Sequence, residues 1–71
     1  MSIATQLDTA RGRVLELGDE IDAYVQLSES EGRDLTEEET NAIAGLNQEF
    51  DGLTSNISGL ERTLAVKEKF T

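Results

Sequence analysis

Cysteine, histidine, tryptophan and proline are all missing from these 71 residues, and each absence removes a class of structure or chemistry. Without cysteine or histidine there is no disulfide and no thiolate or imidazole metal site, so oxygen donors are the only ligands left. Without histidine, Ser28, Ser30 and Ser55 have no imidazole base to activate them as nucleophiles. Three aromatics and six basic residues make no stacking platform and no basic stripe, which argues against direct nucleic-acid binding. No stretch approaches the roughly 20 apolar residues of a membrane span. The start, Met-Ser-Ile-Ala-Thr-Gln-Leu-Asp, lacks the basic and apolar regions of a signal peptide, so an intracellular origin is expected and Asn56-Ile57-Ser58 reads as an accidental glycosylation match. The six glycines are scattered through helical pattern and never follow a strand, which excludes a phosphate-binding loop.

What is present points to helix. Leu, Ile, Val and Phe supply 18 of the 71 residues, above the range of disordered chains, and the absence of proline suits long helices. In the first half Ile3, Leu7, Ala10, Val14, Leu17, Ile21 and Tyr24 alternate at spacings of four and three, which is a heptad seam. In the second half Ile43, Leu46, Phe50, Leu53, Ile57, Leu60 and Leu64 keep the same alternation. Between the two seams, Gly32 can take the left-handed conformation that ends a helix. Thr36 can cap the next helix, with Glu39 three residues later completing a capping box.

These signals predict one all-α domain over residues 1–71, with a helix over about 3–30, a turn over 31–36 and a helix over about 37–69. If the chain reverses at the turn, facing seam residues have numbers totalling about 67, from Tyr24 with Ile43 to Ile3 with Leu64. That describes a two-helix antiparallel hairpin or coiled coil. The competing arrangement pairs the second helix with copies of itself, and sequence alone leaves the choice open. The residues expected at the helix–helix interface are Leu7, Val14, Leu17, Ile21, Ile43, Leu46, Phe50, Leu53, Ile57, Leu60 and Leu64, with Leu46, Phe50, Leu53, Ile57 and Leu60 at its centre.

The second helix has a further periodicity: Gly45, Gly52 and Gly59 recur every seven residues, each immediately before a seam leucine. Each glycine costs about 1 kcal/mol of helix propensity relative to alanine. Two readings stand side by side: tolerance at an exposed flank, or a device that admits another helix or keeps this one easy to open. Asn47, Thr54, Asn56 and Thr63 beside the seam are uncharged, so charge encodes pairing specificity weakly and many-copy clustering is favoured.

The formal net charge of −9 is unevenly placed. Residues 1–15 carry +1, residues 16–51 carry −11 with Arg33 as their one basic group, and residues 52–71 carry +1. A hairpin would therefore have an acidic tip, repelled by phosphate backbones and anionic membranes and open to basic proteins. Glu37, Glu38 and Glu39 point apart on a helix and fit its first turn, where the helix dipole favours negative charge. Catalysis needs convergent groups in a concave site, which two helices do not offer. The expectation is a protein that is not an enzyme, with no cofactor and no metal.

The run Gly32-Arg33-Asp34-Leu35-Thr36-Glu37-Glu38-Glu39, followed by Leu46, Phe50-Asp51, Leu53, Ile57 and Leu60-Glu61, resembles the N-terminal scaffolding segment, the delta domain, of tailed-bacteriophage major capsid proteins of the Hong Kong ninety-seven fold family. The resemblance spans essentially the whole chain, with residues 31–61 the most similar. It departs in the second helix, which in that family is denser in Glu and Arg. The shell domain lies outside these 71 residues, so the resemblance implies a fragment or cleavage product. It also implies a function: a built-in scaffold in the procapsid interior, within the host cytoplasm, that guides shell assembly through helix contacts and is removed by a prohead protease. The implied partners are copies of the same domain, the capsid shell domain, and the prohead protease or portal. Two alternatives are a stand-alone helical adaptor or assembly chaperone, and an acidic inhibitor that mimics nucleic acid.

Overall fold

The computed structural model describes residues 2–70 and contains two helices, α1 (Ile3–Ser30) and α2 (Glu37–Lys69). Each boundary has a local cause. Ser2 caps α1, its hydroxyl accepting from the Thr5 backbone N–H at 3.1 Å. After the C-cap Glu31, Gly32 turns left-handed at φ 62°. Its N–H then donates to the Glu29 carbonyl at 3.1 Å, and the Arg33 N–H donates to the Ser28 carbonyl at 3.0 Å. These two bonds form a Schellman motif and satisfy carbonyls that the helix end would otherwise leave without partners.

Four residues on, Thr36 opens α2 with a complete capping box. The Glu39 N–H donates to the Thr36 hydroxyl at 3.1 Å, and the Thr36 N–H donates to the Glu39 carboxylate at 2.9 Å. Glu37, Glu38 and Glu39 occupy the first turn and Lys67 and Lys69 the last, so both ends of α2 complement the helix dipole.

The two helices lie antiparallel within one chain, as an all-α hairpin of 55 × 17 × 16 Å. Their apolar stripes face each other. In α1, Leu7, Ala10 and Leu17 are buried and Ile3, Val14, Ile21 and Tyr24 half-buried; in α2 all seven seam residues are half-buried and none is fully covered. Two helices in contact shield one narrow strip each. Ala10 and its neighbours Leu7 and Leu17 lose nearly all their exposure in the hairpin, while the larger Phe, Leu and Ile side chains of the α2 seam are covered only in part.

Candidate functional site

Among the described residues no group of acidic side chains is arranged to hold a metal ion, and the features with functional potential are the helix seam, its charged flanks and the turn. The heptad pattern puts Leu7, Val14, Leu17 and Ile21 on the inner stripe of α1, and Ile43, Leu46, Phe50, Leu53, Ile57, Leu60 and Leu64 on that of α2. The burial pattern follows these positions. Near the tip, Tyr24 and Leu46 line one groove; at the open end, Leu7 and Leu64 line another.

Among the described residues, the Arg13–Glu49 and Arg11–Glu61 ion pairs join the helices and hold the register. Arg13 forks onto Glu49, its Nε donating at 2.7 Å and its Nη2 at 3.1 Å, while Arg11 Nη2 donates to Glu61 at 3.2 Å. Arg13 and Glu49 total 62 and Arg11 and Glu61 total 72, either side of the 67 expected for the seam itself. The pairs therefore sit on opposite flanks of the seam, where an antiparallel coiled coil brings like heptad positions together. Glu16 also accepts from Arg13, at 3.1 Å. The Arg13 guanidinium holds the Glu49 carboxyl below the usual carboxylate range, and Glu49 in turn raises the Arg13 pKa.

The reading of weak charge coding rested on Asn47, Thr54, Asn56 and Thr63, and it missed these four partners. The signal that would have found them is the meeting of opposite charges when the flanks of both helices are set against each other at the seam's register. All four side chains are substantially exposed, so they guide alignment more than they add stability.

At the turn, the roles assigned to Gly32, Thr36 and Glu39 come together through Arg33. Its Nε donates to Glu31 at 2.8 Å and its Nη1 donates to Glu39 at 2.7 Å and to the Asp34 carbonyl at 3.0 Å. Glu39 thus closes the capping box and accepts a charged fork at once. The Arg33 hydrogen bond, followed by that from the Thr36 N–H, lowers its pKa to about 2. Glu37 and Glu38 stay exposed, so the three carboxylates diverge. Beside this polar knot Ser28 is buried and donates to the Val25 carbonyl at 2.9 Å.

The heptad glycines lie in the open. A Cβ added at Gly45, Gly52 or Gly59 would meet nothing within 4 Å, so close approach of α1 does not explain them. Among the described residues no helix is long and apolar enough to cross a membrane. This arrangement offers recognition through side-chain packing and charge. Comparison with protein-family models, with curated proteins and with solved structures finds no match.

Proposed function

We propose that the chain is an assembly scaffold of the delta-domain kind that its turn and second helix resemble, promoting ordered assembly through weak contacts between copies. The observation that supports this reading is the incomplete cover of the seam. Leu46, Phe50, Leu53, Ile57 and Leu60 are the expected centre of the interface, yet each remains half-buried in the hairpin. Leucines left part-exposed along a 33-residue helix are a surface on which further helices gain burial. A contact of this size is weak between free molecules. It becomes effective when many copies are linked to a common shell, because linkage raises their effective concentration.

The acidic tip fits the same role: at −11 over residues 16–51 it repels nucleic acid, which gives a reason for removal before DNA fills a particle. The marginal second helix, with its three unsupported glycines, suits cleavage through local opening.

Two experiments test the proposal. In sedimentation equilibrium the chain should associate weakly with rising concentration, and Leu53→Asp should abolish that association. Retained association in the variant counts against the assigned interface. Peptide mass spectrometry of immature and mature particles from the virus encoding the chain should find these residues joined to a shell sequence only in the immature form. Absence from both forms would favour the helical adaptor.

A further inference from the structure

The two grooves of the hairpin differ in their chemistry. The one at the open end is lined by Ala4, Leu7, Asp8, Arg11, Glu61, Leu64, Ala65 and Glu68, and the Arg11–Glu61 ion pair spans it. The one near the tip has a volume of about 530 Å³ and five apolar linings, Ala23, Tyr24, Leu27, Ala42 and Leu46, with Glu20 as its one charged neighbour. No ion pair crosses it among the described residues. The residues opposite one another on this flank are Glu20 and the small Ala42, which leaves Leu27 46% exposed above the seam.

Glu20, the carboxylate that lines this groove, forms no ion pair among the described residues, and Arg13 acts on it only at a distance. Arg33, the single basic residue between 16 and 51, is taken by Glu31 and Glu39, and Arg13 by Glu49 and Glu16. An apolar trough between two helices, with Glu20 at its edge and lying inside a segment of net charge −11, has the complement of one class of ligand. We infer that this groove docks a cationic amphipathic helix of a different protein, its leucine-type face against Tyr24, Leu27 and Leu46 and its lysine or arginine flanks against Glu20 and the acidic segment around it.

A second copy of this chain fits the groove poorly. Its own tip is equally acidic, and its open end offers only +1 from residues 1–15 and +1 from residues 52–71. The inference does not depend on whether copies associate through Leu53.

The test uses the full chain and a labelled designed peptide of about 18 residues, with leucines at helical i, i+3, i+4 and i+7 spacing and lysines on both flanks. A matched peptide carries glutamine in place of every lysine. By fluorescence anisotropy at physiological salt, the lysine peptide should bind one to one and the glutamine peptide at least about tenfold more weakly. Leu27→Gln should weaken lysine-peptide binding by about tenfold or more, while Leu15→Gln, at a leucine 71% exposed and outside the groove, should leave it unchanged. Circular dichroism of both variants should match the parent.

Equal binding by the Leu27→Gln protein would reduce the interaction to diffuse charge attraction and overturn the inference. So would equal binding of the two peptides, or a dimer of the chain alone that is lost in Leu27→Gln. Loss of self-association in Leu53→Asp concerns the proposed scaffold and leaves this outcome separate.

Discussion

The turn and the seam are built on opposite principles. Between Ser28 and Glu39 nearly every conformational choice is made by a directed polar contact: two Schellman bonds, a reciprocal capping box and an arginine held by two carboxylates and a carbonyl. Along the seam the helices are held by undirected apolar contact, with three apolar residues of α1 buried and none of α2, and with the Arg13–Glu49 and Arg11–Glu61 ion pairs, among the described residues, to fix register. The difference teaches that the connection is specified locally while the pairing is only partly satisfied within one chain. A hairpin made this way returns on itself reliably and still has apolar surface to offer.

The largest expected effect strikes the seam. Leu17 is the most deeply buried side chain, and Leu17→Ala should cost about 2–5 kcal/mol, enough to unfold so small a domain. Loss of the helical dichroism signal at 25 °C checks it. Retention of a cooperative transition near the parental Tm would mean that the seam contributes less than the turn.

Next comes a change of opposite sign. Replacing Gly45, Gly52 and Gly59 together by alanine meets no steric obstacle and should stabilise α2 by roughly 3 kcal/mol in total. That corresponds to about 12–24 °C in Tm for a domain of this size. If the same variant is also cleaved at an unchanged rate by a broad-specificity protease, the glycines play no part in opening the helix.

A smaller loss tests the turn. Gly32→Ala keeps open space around the new methyl group but forces alanine to φ 62°, so the cost is conformational strain alone, about 1–2 kcal/mol. A Tm lower by several degrees with unchanged helicity is the expected result.

The smallest effect depends on pH. Glu39 has its folded pKa lowered to about 2, so its charged contacts support the fold fully above its ordinary unfolded value near 4.5, and that support is lost as pH falls towards 2. Glu39→Gln should therefore melt slightly below the parent at pH 7, with the gap closing between about pH 4.5 and 2. Thermal melts across that range measure it, and a gap independent of pH would remove the Arg33–Glu39 pair as its source.

The elements differ in how legible they were. The caps could be read because their partners are three residues apart: Thr36 finds Glu39 within one helical turn whatever the rest of the chain does. The seam residues could be read because a heptad period needs only one helix to be visible. The Arg13–Glu49 and Arg11–Glu61 pairs were missed because their partners are 36 and 50 residues apart and become neighbours only once a register is chosen. The tip groove was missed for a related reason. It results from Glu20 and Ala42 meeting across the seam, and neither residue is unusual within its own helix.

The sequence by itself determined two helices, a stop at Gly32, a start at Thr36, one apolar stripe on each helix and an acidic middle, because propensity, capping and charge act over one or two turns. Tertiary structure decided that the stripes pair within the chain, which flanks carry ion pairs, how little of α2 is covered, and where the apolar groove opens. Those outcomes depend on which side chains oppose one another across the seam, and the antiparallel register of the two helices settles that.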